Sequence, residues 1–331
     1  MHAFQAQILL LLEKQPQKPS VLAKKLGISR QSLHAHLRAL LEKQKIVRHG
    51  TSPHVQYSVA LKNAPATRVL KDYTFCQKHL LPKYLDEFSS PLEQYLNHPK
   101  NQKAEKPEVL PDLAFLLDSA AVYSSNIEGN TLDLNSFLNS RMSPKKHRPK
   151  EAQEIEDLVS AYAFARVNNL DEKHMLQAHT MLSRQFVAAT RRGIYRKEPV
   201  GVFSQQGLEY MAVEPHLVAD EMRVLFTIVA DLLQKKHTTA ERFFWGSWLH
   251  LMIALIHPFS DGNGRTARLC EKWFLAATLG EKSFGLPTEE QYWKNRALYY
   301  ATLKLGANYW EVDMKKASPF FILLPRVLLR T

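Results

Sequence analysis

"HPFSDGNGR", residues 257–265, places a histidine, a carboxylate, two glycines and an arginine within nine positions, where a long apolar segment gives out. Upstream, Phe244, Trp248, Leu251, Met252 and Leu255 recur at helical spacing, so Ala240 to Ile256 reads as a core helix. Pro258 disfavours helix at His257 and ends it. Downstream, Leu269, Trp273, Phe274 and Ala277 mark a second amphipathic run that begins within a few residues of Gly264. The stretch is therefore a joint between two helices, with its glycines just before a helix N-terminus.

That position has chemical consequences. The first N–H groups of a helix lack internal partners, and the helix dipole favours negative charge there. Gly262 and Gly264 let the backbone curl around an anion, which makes a phosphate seat. Arg265 and Arg268, three apart, share one side of the first turn and can neutralise phosphate oxygens as outward-facing cations. His257 as a neutral imidazole can accept a proton near pH 7. Asp261 is the carboxylate placed to hold magnesium between phosphates. Together these describe attack of a hydroxyl on a phosphate. A capped turn would explain any one of these residues, but it has no need of a base and two arginines together.

Rival sites fail on spacing. The loop lacks the Lys-Ser/Thr ending and the preceding strand of a P-loop. Read as a calcium loop from Asp261, it puts Arg265 and Lys272 where oxygen ligands are needed. There is no His-Glu-x-x-His and no paired Cys-x-x-Cys for zinc.

The composition adds an asymmetry. The net charge is +12, and residues 1–62 carry ten Lys or Arg against Glu13 and Glu42, a local +8. A basic terminus of domain size points to nucleic acid. Its pattern is three helices and a hairpin. Ala3 to Lys14 is stopped by Pro16 and Pro19, Ser20 caps Val21 to Leu26, Gly27 turns, and Ser29 caps a third helix. Two alternating runs around "TSP" then close a short hairpin. Cys76 and Cys270 form no disulfide framework and fit a reducing compartment. No apolar run reaches the length of a membrane span, so a soluble, cytoplasmic protein is expected. Residues 62–108 are turn-rich, with one helical segment around Tyr73 to Phe88. Beyond Val109 the pattern is helical except for a hairpin at 201–213, around Gly207.

"HPFSDGNGRTAR", 257–268, resembles the signature of the Fic family, His-Pro-Phe-x-Asp/Glu-Gly-Asn-Gly-Arg-x-x-Arg, at every specified position. The similarity covers about residues 110–310. Fic proteins mostly transfer AMP from ATP to a Ser, Thr or Tyr hydroxyl of a protein. The resemblance implies that His257 is the base and Asp261 the magnesium ligand. It implies that Gly262, Asn263 and Gly264 form the anion hole, that Arg265 and Arg268 bind the distal phosphates, and that Phe259 anchors the loop. Glycine at 262 separates the sequence from kinase-like relatives with Ala-Asn-Lys at this point. "SSNIEGN", 124–130, is similar to the family's inhibitory motif, here Ser124, Glu128 and Gly129, in which the Glu pairs with the second arginine, Arg268, and blocks the γ-phosphate. The hairpin 201–213 is similar to the flap on which protein targets dock as an added strand. "NRALYYATL" is similar to the helix bordering adenine, with Tyr300 the stacking candidate and Tyr299 its rival. Ala307 stands where many relatives carry an Asn, which follows as Asn308.

Residues 1–62 in turn resemble the winged helix-turn-helix family. That resemblance puts Arg30, Gln31, Ser32, His34 and Arg38 on the outward face of a recognition helix, with Lys24 and Lys25 near phosphates. A basic protein-interaction module is the alternative. The expectation is a mainly α protein: a winged helix at 1–62, a linker with a helical segment at 63–108, and a helical Fic core with a β-hairpin flap and an inhibitory helix at 109–331. It is read as a protein adenylyltransferase using ATP and magnesium, autoinhibited by Glu128. The alternatives are a DNA-binding regulator whose core senses nucleotide and an enzyme that removes AMP at the same site. The partners are a protein target on 201–213, DNA on 1–62 and a second copy of the chain, with no membrane.

Overall fold

The computed structural model describes residues 3–14, 17–43, 45–49, 55–59, 67–97, 112–144, 147–204 and 207–329. Along the chain the elements run α1 (Ala3–Lys14), α2 (Pro19–Leu26), α3 (Arg30–Glu42), β1 (Ile46–His49), β2 (Gln56–Val59), α4 (Arg68–Phe75), α5 (Leu81–Asn97), α6 (Leu113–Ile127), α7 (Leu134–Ser140), α8 (Lys150–Val167) and α9 (Glu172–Leu182). The hairpin β3 (Gly201–Ser204) and β4 (Gly207–Met211) follows, then α10 (Val218–Gln234), α11 (Thr239–Ile256), α12 (Asn263–Leu279), α13 (Thr288–Lys294), α14 (Arg296–Leu303) and α15 (Ser318–Leu328). Two compact units result: Met1–Asp72 with Asp220–Lys236, and Tyr73–Ala219 with His237–Thr331. Within 63–108, read from the sequence as a linker with a helical segment, residues 67–72 fall in the first unit and 73–97 in the second. No described helix is long and apolar enough to cross a membrane.

In the first unit, Ile8, Leu12, Leu22, Leu33, Leu37, Leu40, Ile46 and Tyr57 form one core. Three helices supply stripes at helical spacing, and the antiparallel pair, with Ile46 opposite Val59, closes over them. Gln17 ties the end of the α1–α2 turn to β2 by exchanging both backbone bonds with Tyr57, at 2.9 Å each. Gly27 takes the left-handed conformation that ends α2, and Ser29 caps α3 by accepting from the Ser32 amide at 3.2 Å. One local expectation is corrected. Helix α2 begins at Pro19, not after Ser20, and its cap is Lys18. Proline suits a first helical position because its missing N–H has no partner to lose. Glu221 lends both carboxylate oxygens to the amides of Arg68 and Val69 at 3.0 Å, capping α4. The "TSP" turn lies outside the described residues, as do residues 98–108.

The second unit is built on the α11–α12 pair. A capping box of Thr238 and Glu241 starts α11, and Phe243, Phe244, Trp248, Leu249 and Ile253 along it are fully buried. Helix α5 lies against it, with Tyr84 edge-on to Phe244 at 5.2 Å. The helical segment does not stop near Phe88: residues 89–94, within the stretch read as turn-rich, are helical through Pro91. A proline inside a helix costs about 3 kcal/mol; Leu81, Tyr84, Phe88 and Leu92, all buried on one stripe, outweigh it. Neither Cys76 nor Cys270 forms a disulfide, and both are buried. In the hairpin, Gly201 faces Met211, a register shift falls between Val202 and Phe203, and the Phe203 and Leu208 side chains stand exposed.

Candidate active site

The α11–α12 turn holds a strained residue. His257 caps α11 in the left-handed conformation, φ 52° and ψ 61°, and it is the one non-glycine residue with positive φ among those described. Such a conformation costs about 1–3 kcal/mol and persists only where neighbours over-determine it. Here they do. Arg196, itself buried, donates from Nε to the His257 carbonyl at 2.6 Å and from Nη2 to the Ile256 carbonyl at 3.2 Å and to Val213. Its own amide donates to Pro258 at 2.9 Å. The orphan carbonyls at the end of α11 are thereby satisfied by a cation, which also suits the helix dipole.

The rest of the turn is pinned from below. Phe259 is fully buried and stacks on His179 at 3.6 Å. The His179 ring bridges two backbone groups. Its Nδ1 accepts from the Gly193 amide at 2.9 Å, so Nε2 carries the hydrogen and donates to the Asp261 carbonyl at 2.9 Å. Burial pushes the His179 imidazolium down to about 4, keeping the ring neutral. The Asn263 side chain accepts from the Phe259 amide at 2.8 Å and donates to the Phe259 carbonyl at 2.9 Å. It staples the turn instead of facing the anion seat, to which Asn263 offers only its backbone N–H.

These anchors aim the functional groups. His257 stays partly exposed. Its Nδ1 lies 3.1 Å from the Ala254 carbonyl, an acceptor only, so Nδ1 carries the hydrogen and Nε2 keeps a lone pair. Burial lowers the proton affinity of the ring, and the Arg196 charge adds to this. Together they outweigh the Ala254 hydrogen bond and the Glu128 and Asp261 carboxylates, leaving the pKa below that of an ordinary histidine. At the start of α12, the Gly262 amide donates to Asp261 Oδ1 and the Thr266 amide to the Gly262 carbonyl. Among the described residues, the amides of Asn263, Gly264 and Arg265 between them find no partner. Gly262 adopts φ 82°, the conformation that a side chain would disfavour.

Glu128 reaches this row of donors. It caps α6, where Gly129, at φ 98°, turns the chain away. Its carboxylate pairs with Arg268 Nη2 at 2.7 Å and lies against the Cα of Gly264, where a Cβ would collide with Glu128 Oε1. The Glu128 side chain keeps 31% of its surface exposed. Burial raises its pKa; the charge and hydrogen bond of Arg268, with Arg265 and His257, overcome this and hold it below the usual carboxylate range.

The arginines face inward, correcting the expectation of outward cations. Arg268 is 1% exposed. Its Nε donates to Ser124 Oγ at 2.9 Å, Nη2 to the Ser124 carbonyl at 3.0 Å, and Nη1 to the Tyr299 hydroxyl at 3.3 Å. Arg265 stacks on Phe186 at 3.7 Å, with Glu154 and Asp261 at 3.7 and 4.0 Å. Its buried Nε has no partner among the described residues. Both guanidiniums are drawn under the loop because acceptors from α6, α8 and α14 await them there. Asp261 keeps 57% of its side chain exposed, free for a further ligand. No cluster of three or more His, Cys, Asp or Glu suited to a metal occurs among the described residues. Tyr300 is half-exposed, with its hydroxyl donating to the Ile127 carbonyl at 2.9 Å, whereas Tyr299 is buried. Only Tyr300 of the pair can offer a ring face to a ligand. Sequence reasoning missed His179, Arg196 and the part Tyr299 plays. Arg196 lies just before the 201–213 hairpin, and the other two are among the buried residues of α9 and α14.

Residues 169–275 match the sequence pattern of the Fic/DOC family. The chain carries a Fic domain. Protein adenylyltransferase fic-1 of Caenorhabditis briggsae is 28% identical over 188 residues, covering 54% of this chain and 34% of that protein. The chain thus matches only about a third of that relative's length. A Fic family protein from Desulfovibrio desulfuricans G20 shares the fold with a TM-score of 0.57 at 24% identity, over 76% of this chain and 74% of that one. A Fic domain-containing signaling protein from Bacteroides thetaiotaomicron VPI-5482 does so with a TM-score of 0.55 at 20% identity, over 72% and 93%. The matched Fic segment spans α9, the hairpin, α10, α11 and most of α12, and so takes in His257 and Arg268 but neither Glu128 nor Tyr300.

Proposed function

We propose that this protein transfers AMP from ATP to a Ser, Thr or Tyr hydroxyl of a protein target, and that Glu128 restrains the transfer. One observation carries the reading: the Glu128 carboxylate rests on Gly264 and Arg268, beside unpartnered amides that open α12. A helix N-terminus with free amides and an enclosed guanidinium suits a phosphate as well as it suits a carboxylate. When Glu128 withdraws, a distal phosphate takes up the same donors.

His257 then acts. Its Nε2 takes the proton of the target hydroxyl as that oxygen bonds to the α-phosphorus. The bond from the α-phosphorus to the bridging oxygen breaks, and pyrophosphate departs. Arg265, Arg268 and the α12 amides oppose the charge that develops. The exposed Asp261 carboxylate fits a magnesium ion, which ordinarily takes one or two carboxylates plus phosphate oxygens and would neutralise charge on the departing group. Tyr300 offers a half-exposed ring to the base. An extended target segment adds along β3–β4, whose Phe203 and Leu208 are exposed.

The test is incubation of the Glu128→Gly variant with isotopically labelled ATP, magnesium and cell lysate, with His257→Ala as the blank. AMP bonded to protein hydroxyls, absent from the blank, is expected. No adduct on any protein would defeat the proposal, and loss of label from a pre-modified target would instead indicate AMP removal.

For the first unit we propose DNA binding by a winged helix-turn-helix. Its support is the three-helix core with an antiparallel pair and the exposure of Arg30, Gln31, His34 and Arg38 along α3. Gel-shift titration with promoter DNA is expected to show binding that weakens with salt and is lost in the double variant of Arg30→Ala and Arg38→Ala. Unchanged binding in that variant refutes the assignment.

A further inference from the structure

Arg268 is tied to more than Glu128 and Ser124. Its Nη1 donates to the Tyr299 hydroxyl at 3.3 Å. That hydroxyl lies 2.9 Å from His250 Nε2, and His250 Nδ1 lies 2.7 Å from Glu271 Oε2. Every direction in this chain follows from chemistry. A guanidinium only donates, so the Tyr299 oxygen accepts from Arg268 and turns its own hydrogen to His250. His250 must then present its lone pair at Nε2 and carry its hydrogen at Nδ1, which donates to the carboxylate. Glu271 is held in turn by the Ser247 hydroxyl at 2.7 Å and by the Tyr292 hydroxyl at 3.0 and 2.9 Å. Tyr299, His250 and Glu271 are each at most 2% exposed.

We infer that Tyr299 and His250 are positioning residues, which hold Arg268 in place for the distal phosphate when Glu128 withdraws. The inference rests on the phosphate reading above. Nothing in the catalytic turn needs this row of side chains, since the backbone of His257 and of the loop is fixed by Arg196, His179 and Asn263. The row ends on Arg268. Without Glu128, the guanidinium retains Ser124 on one side, and Tyr299 is its anchor on the other. A relay of hydrogen bonds in a buried setting is polarised along its length, so a break at any link weakens the last one. Glu271 supplies a fixed negative charge at the far end, turned toward Arg268 through two neutral groups.

The test is calorimetric binding of ATP and of ADP to Glu128→Gly, with and without Tyr299→Phe or His250→Leu. Each second substitution is expected to weaken ATP by about tenfold, the equivalent of one hydrogen bond to a charged group. ADP, which lacks the phosphate that Arg268 would meet, is expected to change little. The triple variant is expected to lose no more ATP affinity than either double variant, because both cut one relay. Thermal melting in the absence of nucleotide separates loss of fold, which would weaken both nucleotides equally. Equal losses for ATP and ADP, or additive losses from the two substitutions, overturn the inference. If Glu128→Gly itself binds neither nucleotide, the phosphate reading falls and this inference falls with it.

Discussion

Gly264 sits where two effects oppose each other, and Gly264→Ala separates them. Its φ is not in the left-handed range, so alanine fits the backbone, and within a helix it gains up to about 1 kcal/mol over glycine. The new Cβ would collide with Glu128 Oε1 and come within 3.2 Å of Arg268 Nη1. Overpacking of that kind costs about 1–3 kcal/mol. The Glu128 carboxylate must move, and moving it strips Arg268 of its one anionic partner among the described residues, so Gly264→Ala is expected to destabilise the parent by about 1–2 kcal/mol. In Glu128→Gly the obstacle is absent. There the same substitution is expected to be neutral or to stabilise by up to about 1 kcal/mol, giving a coupling of about 1–3 kcal/mol between the two sites. Urea unfolding followed through the buried Trp245 and Trp248 of α11 reads this out. Stability changes that add to within about 0.5 kcal/mol in the two backgrounds would refute the reasoning.

Two further outcomes are expected. The unfolded chain protonates His179 near 6.5 and the folded one only near 4; this histidine's contribution is therefore complete above pH 6.5 and is lost as pH falls to about 4, by about 3 kcal/mol in all. A His179 ring resonance that titrates near 6.5 in the folded protein would contradict it. Arg196→Met, which strips carbonyls at His257, Ile256 and Val213 of a donor, is expected to cost about 3 kcal/mol or more. Introduced into Glu128→Gly, it is expected to slow AMP transfer at least tenfold, about 1.4 kcal/mol, while sparing ATP affinity; an unaltered transfer rate would show that His257 needs no such support.

The helices around residues 257–265 were legible because the apolar spacing of Phe244 to Leu255 and of Leu269 to Ala277 has one period, and Pro258 interrupts it. The meeting of Glu128 with Arg268, 140 positions apart, follows from no local rule; only the likeness of two short motifs to a known family drew attention to the pair. His179 was hidden because it lies on the same stripe as Met175, Ala178 and Leu182, and its role appears only when Gly193 and Asp261 approach its two nitrogens. The inward turn of the arginines was illegible for a related reason: helical phase gives the side of a helix, not which neighbours supply acceptors. Pro91 and Pro19 misled through local preference, which buried stripes and a first-turn position override.

The central claim is that a carboxylate of the chain and a nucleotide phosphate compete for one set of donors. Equilibrium binding of ATP and of AMP to the parent and to Glu128→Gly measures that competition. ATP is expected to bind the variant at least about tenfold more tightly, about 1.4 kcal/mol, with AMP unchanged. Equal ATP affinity in the two proteins would contradict it.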